Sequence, residues 1–274
     1  MNEEKNIAVA KDEAKNEDSI VETKNTSEPE EEASKMANAF SVLPLPIKQS
    51  PSLEELLKSG VHFGHQRGRW NPNASWYIYG ERNGVHIIDL QETLQHFEKA
   101  LAFVRGIVAK KGKILFVGTK KQAKDIVEEV AKLTDMPYVI ERWLGGTFTN
   151  FPTISRRIHK LLDIETKQKE GKLAHYSKKE QMKFRKELED FERKMGGLRT
   201  MTELPQAMFI VGAKEEKIAI EEARKSGIPV ISICDTNIDP KTIDYPIPGN
   251  DDAVRSIRLI MSYIAKEIKK PVNN

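Results

Sequence analysis

Two stretches of this chain, KILFVGTKKQAKDIVEEVAKLTDMPYVIE and AMFIVGAKEEKIAIEEARKSGIPVISICD, run in one order: strand, glycine turn, amphipathic helix, proline, strand. They share a V-G-x-K junction, at Val117–Lys120 and Val211–Lys214. The continuous apolar runs ILFV, MFIV and VISI suit strands buried on both faces, as in a parallel sheet covered by helices. Alternation with amphipathic helices implies right-handed crossovers. The expected fold is therefore α/β, a doubly wound, mostly parallel sheet of the flavodoxin or Rossmann kind.

The flanks add elements to this frame. SLEELLKSG reads as a short helix with Ser52 as N-cap, Glu55 completing a capping box and Gly60 ending it. SWYIYGERNGVHIIDL reads as two strands joined by a turn at Asn83-Gly84. A helix is expected over Gln91–Lys110, striped by Leu94, Phe97, Leu101, Val104 and Val108 and ended by Gly112. Near the C-terminus a short strand is expected around Asp244–Ile247. A last helix should follow over Asp251–Lys269, capped by Asn250.

Residues 153–200 differ from both units, with fourteen Lys/Arg against eight Asp/Glu. Ile154, Ile158 and Leu161, and then Phe184, Leu188, Phe191 and Met195, are spaced by threes and fours, as in a seam of facing helices. Gly171 interrupts the run, and Ser177 with Glu180 makes a second capping box. The expectation is an inserted antiparallel coiled-coil hairpin over 153–200. The α/β domain would then be built from 51–152 and 201–270.

The first fifty residues carry eleven acidic and six basic side chains and almost no aromatics. Such composition cannot bury enough apolar surface to offset chain entropy, so residues 1–50 read as a disordered acidic extension ending in the proline-stiffened VLPLPIKQSP. The whole chain is +3 and this extension −5, which leaves +8 on residues 51–274. A basic body suits a polyanionic partner. The single cysteine, Cys234, excludes an internal disulfide framework and any Cys-cluster zinc site. With no apolar run of membrane-spanning length and no signal-peptide pattern, no membrane partner is expected and the setting reads as cytoplasmic.

Three chemistries compete for HFGHQRGRWNP, residues 62–72. His62 and His65 could share a metal, but Gly64 argues against a common helix face and no third ligand is close in sequence, so no metal is expected. A nucleotide enzyme could use the strand ends near Thr119 and Asp235. However, FVGTKKQ has neither dinucleotide nor P-loop glycine spacing, no nucleophile–base arrangement is evident, and no cofactor is expected. Nucleic-acid binding fits the pairing of Arg67 and Arg69 with Trp70: guanidiniums fork onto phosphates, and an indole stacks on an unpaired base. Arg142 and Trp143 repeat the pairing in ERWLGGTFTN. In either loop the tryptophan could equally be core. A protein-binding scaffold that uses the hairpin seam remains a further alternative.

The ordered set L-K-S-G-V-H-F-G-H-Q, R-W-N-P, G-E-R-N-G-V-H-I-I-D-L, K-G-K-I-L-F-V-G-T-K, R-W-L-G-G-T-F-T-N, S-G-I-P-V, D-T-N-I-D-P and I-P-G-N-D-D-A resembles the bacterial ribosomal protein S-two family from about residue 53 to 268. The resemblance implies a doubly wound domain with a coiled-coil hairpin, a non-catalytic structural role in the small subunit between head and body, and contact with 16S rRNA. It also implies neighbouring small-subunit proteins and help in docking ribosomal protein S-one; no self-oligomer is expected. Matching motifs assign RNA contact to Arg67, Arg69, Trp70, Asn71, Lys120, Lys121, Arg142, Asn150, Arg156 and Arg157. Where the family's strand often ends in aspartate, this chain has Val211-Gly212, which weakens the expectation of an acidic cluster or metal that uses that position alongside Asp235. The acidic extension is not a standard part of the family pattern.

Overall fold

The computed structural model describes residues 50–170 and 177–270. The expected acidic extension and the Gly171 break lie outside the described residues. Helix α1 (Leu53–Lys58) opens the body with the expected capping box, in which Ser52 Oγ accepts from Glu55 N and Glu55 answers at Ser52 N. Three strands follow, β1 (Phe63–Gln66), β2 (Ile78–Arg82) and β3 (Val85–Ile88), forming an antiparallel sheet in the order β1-β3-β2. Asn83 and Gly84 both have positive φ, 54° and 76°, as a tight primed turn demands.

Helix α2 (Leu90–Ala109) leads into the main sheet: β4 (Ile114–Val117), α3 (Lys124–Thr134), β5 (Tyr138–Val139), α4 (Phe151–Lys169), α5 (Lys178–Met195), β6 (Ala207–Val211), α6 (Lys217–Lys225), β7 (Val230–Cys234), β8 (Tyr245–Pro248) and α7 (Val254–Lys269). The strand order is β5-β4-β6-β7-β8 and every pairing is parallel. From β4 the chain winds outward to β5, and from β6 it winds the other way, so the topological switch lies between β4 and β6.

Alternate residues of the buried strands feed opposite faces. Leu115, Val117, Met208, Ile210 and Val230 join a core with Ala219 and Ala223 of α6, Trp143 and Phe148 of the loop between β5 and α4, and Ile154 and Ile158 at the base of α4. On the other face α7 packs against both α2 and α3, and the Phe116 and Phe209 rings meet 5.7 Å apart.

Several boundaries shift for identifiable reasons. Helix α2 stops at Lys110, with Lys111 left-handed (φ 56°) and Gly112 N returning to Ile107 O, so the lysine and not the glycine makes the reversal. Helix α7 begins at Val254, not Asp251. Asn250 Oδ1 accepts from Asp252 N and Ala253 N, capping the turn before the helix, while Asp251 and Asp252 are drawn to Lys120. In α4 and α5 the proposed seam residues are buried (Ile154, Ile158, Leu161, Met195) or half-buried (Phe184, Leu188, Phe191), and the two helices touch. Arg199 bridges them through Glu165 of α4 and Glu192 of α5. Among the described residues no helix is long and apolar enough to cross a membrane.

Candidate nucleic-acid interface

HFGHQRGRWNP is partly a strand and not wholly a loop: Phe63–Gln66 is β1, pairing with β3 across a register shift between Phe63 and Gln66. A bulge of this kind re-aims one side chain, and here the side chain is His65. Its Nδ1 lies 2.9 Å from Asp235 Oδ1, its Nε2 lies 3.4 Å from Asp252 Oδ2, and Asn237 Nδ2 is 2.8 Å from that Nε2. Backbone bonds reinforce the same seam, His65 N donating to Thr236 Oγ1 (2.9 Å) and Asn71 N to Thr236 O (2.7 Å). A β-carbon on Gly64 would fall 2.7 Å from Thr236 Cγ2, so only glycine lets β1 approach this closely. Residues 62–72 thus form a strap whose partner in space is the D-T-N-I-D-P turn.

Lys120 lies behind this seam. Its Nζ is 2.8 Å from Asp251 Oδ1, 2.9 Å from Asp252 Oδ1 and 3.8 Å from Glu215. Gly212, at φ +87°, leaves room for the lysine stem, since a β-carbon there would sit 2.9 Å from Lys120 Cε. Burial alone would lower the Lys120 ammonium; Asp251, Asp252 and Glu215 outweigh it and hold the group above its usual value, so it stays charged. The Lys120 charge is thus matched internally by carboxylates. The acidic groups near Asp235 come from Asp251 and Asp252 after β8, and none comes from the strand-end position that Gly212 occupies.

The same cluster bears on metal binding. Asp235 and Asp252, distant in sequence, could each offer one ligand atom alongside His65, the three atoms lying within 4.8 Å of one another. His62 is not part of the set; its ring packs on Phe63 at 4.0 Å. In the structure the carboxylates face Lys120 and the His65 imidazole. The hydrogen bond to Asp235 raises the His65 pKa, burial opposes it, and the charges of Asp235, Asp251 and Asp252 add to the rise. At the switch point, where open α/β sheets hold ligands, Thr119 Oγ1 donates to buried Glu216. Cys234 is fully buried, its thiol pushed up by desolvation.

Beyond this pinned seam the strap turns outward. Arg67, Arg69 and Trp70 are exposed. Arg67 has only a loose 3.8 Å approach to Glu81, and Arg69 has no partner among the described residues. One face of Trp70 rests on His86, ring centroids 5.4 Å apart, with 40% of the residue exposed. Asn71 spends its carbonyl oxygen on Asn73 N.

The second Arg–Trp pair behaves differently. Trp143 is 7% exposed and meets Phe148 edge-on at 4.9 Å. Its indole N–H donates to Glu222, as do the N–H groups of Gly146 (2.7 Å), Phe148 (3.0 Å) and Thr149 (3.4 Å). Burial alone would raise the Glu222 carboxyl; these donors outweigh it and hold the group below the usual carboxylate range. One buried anion on α6 therefore folds the whole ERWLGGTFTN loop and leaves Arg142 and Asn150 exposed at its ends. Sequence reasoning missed Glu222, because an acidic residue in EEARK looks like any solvated helix face.

Lys121, Arg156 and Arg157 are also exposed. Arg156 folds back on Pro152 O and Thr153 Oγ1, and Asn150 Oδ1 accepts from Thr153 Oγ1. Lys121, Arg142 and Arg157 have no partner among the described residues.

A family model described as "Ribosomal protein S2" matches residues 56–270. Two similar relatives are called "Small ribosomal subunit protein uS2", one from Acidothermus cellulolyticus and one from Salinispora arenicola. Each is 51% identical over 218 residues, covering 79% of this chain and 79% and 78% of the respective relatives.

Proposed function

The chain belongs to the ribosomal protein S-two family, a structural and non-enzymatic component of the small ribosomal subunit, and from that premise we propose that its strap, loop and hairpin hold 16S rRNA between head and body. Arg67, Arg69, Arg142, Arg156, Arg157 and Lys121 neutralise phosphates, while Trp70 offers its open face to a base or sugar. Asn71 and Asn150 have an amide nitrogen left to give. Lys120 takes a supporting role, holding the Asp251–Asp252 turn against the strap. Recognition is of folded RNA shape, because A-form helices hide base edges in a deep, narrow groove.

The observation that supports this most is the sorting of cations. The half-buried Lys120 at the carboxyl edge of the sheet is matched by carboxylates, whereas Arg69, Lys121, Arg142 and Arg157 are exposed and without an ion pair among the described residues. The basic hairpin adds further cations as a coiled coil, and neighbouring small-subunit proteins, with ribosomal protein S-one among them, complete the cytoplasmic partner set. Sedimentation of cell extract through a sucrose gradient tests the assignment: the chain should travel with small subunits and be stripped as salt rises. Replacing Arg156, Arg157 and Lys160 together with Ala should cut that fraction while leaving the melting temperature unchanged. Normal incorporation of this variant would remove the hairpin's role.

A further inference from the structure

We propose that the groove between α6 and the turn after β7 receives one unpaired nucleotide of RNA, with its base on Ile220 and Ile238 and its phosphates on Lys214, Lys217 and Arg224; this rests on the RNA-binding reading above. The groove encloses about 330 Å³ at the carboxyl edge of the sheet, at the small end of ligand-sized pockets. It is an open concavity one strand along from the switch point between β4 and β6, at the same edge.

Its chemistry is divided. Ala213, Ile220 and Ile238 are buried and make an apolar floor. Lys214, Lys217 and Arg224 stand exposed on the walls, and none has an ion pair among the described residues. An apolar floor with a cationic rim suits a flat, weakly polar body that carries phosphates.

The occupant follows from continuity. Asn71 lines the groove and is the residue immediately after the exposed Arg67–Trp70 segment. A strand of RNA lying over Trp70 therefore reaches the groove next. Two carboxylates also line it. Asp239 is turned to its own backbone, accepting from Lys241 N at 3.1 Å. Glu221 stands on the rim with no such engagement and opposes an anionic ligand.

The test measures anisotropy of fluorescein-labelled octauridylate with the full-length chain across a salt series. Replacing Lys214, Lys217 and Arg224 with Ala should weaken binding at least about tenfold and flatten the slope of log K against log salt by about 2, at roughly 0.7 per phosphate on a single strand. Glu221→Gln should act in the opposite direction, tightening binding about threefold. All four sites are exposed, so melting temperatures should match the parent. Octauridylate binding unaffected by the triple change, or weakened by Glu221→Gln, overturns the proposal. So does selective loss of an octaglutamate peptide with RNA binding intact, which would assign the groove to an acidic protein segment. A triple variant that still sediments with small subunits and binds octauridylate like the parent sinks the groove alone. A parent chain that binds no RNA and sediments apart from small subunits removes the reading beneath it.

Discussion

The chain carries the dipeptide Arg-Trp twice, and the structure uses it in opposite ways. At Arg69-Trp70 the indole lies on the surface over His86; at Arg142-Trp143 it is buried against Phe148 with its N–H on Glu222. Each segment is held from beneath by a buried carboxylate from another part of the chain, Asp235 under the strap and Glu222 under the loop. The strap is fixed mainly through one side-chain pair plus Thr236, whereas the loop is fixed through its own backbone N–H groups. In both cases the arginine is left outside. The tryptophan is interchangeable between anchor and contact; the outward arginine and the internal anion are what the two segments have in common.

This contrast can be broken most strongly at the tryptophans. Trp143→Ala should cost about 3–5 kcal/mol of stability in denaturant unfolding, the usual range for emptying an aromatic core site. Trp70→Ala should leave stability within about 0.5 kcal/mol and instead weaken RNA binding by about 1–3 kcal/mol, the worth of one stacked base. Equal stability losses at the two sites would erase the distinction.

Glu222→Gln is expected to come next, at about 2–3 kcal/mol, because an amide can accept from only part of the donor set and turns its own N–H groups toward the rest. In a Trp70→Phe, Trp76→Phe background the Trp143 emission should shift red and become open to quenching. Since the Glu222 carboxyl is held low in the folded chain, its stabilisation is present above the ordinary carboxylate range and lost only as pH falls through the depressed value.

The strap should answer to pH in the opposite sense and more weakly. The His65 pKa is raised by Asp235, so its contribution is complete below about pH 6.5 and is lost as pH rises through the elevated value. Thermal unfolding of the parent should therefore weaken between about pH 6 and pH 9 by about 1 kcal/mol more than that of His65→Gln. Identical pH profiles would remove the imidazole from the strap's anchoring.

Much of this was legible in the chain itself. The twin strand–glycine–helix units give the parallel sheet because continuous apolar runs have few other homes, and Asn83-Gly84 specifies its own turn. Local signals also mark both capping boxes, at Ser52 and Ser177. What escaped depends on partners distant along the chain. Lys120 and Lys121 look alike in sequence, yet Asp251 and Asp252 draw only the first inward. Nothing local to R-W-N-P or R-W-L-G-G says which indole is buried; that is decided by Glu222 and His86. The start of α7 moved for the same reason, since two acidic residues that read as a first helical turn serve Lys120 instead.

The most direct test is a cryo-electron microscopy map of small subunits assembled with this chain. The expected result is Arg67, Arg69 and Arg142 with guanidinium nitrogens about 3 Å from RNA phosphate oxygens, while Lys120 remains on Asp251. Those three arginines pointing into bulk solvent, with the rRNA lying against some other face of the body, would contradict it.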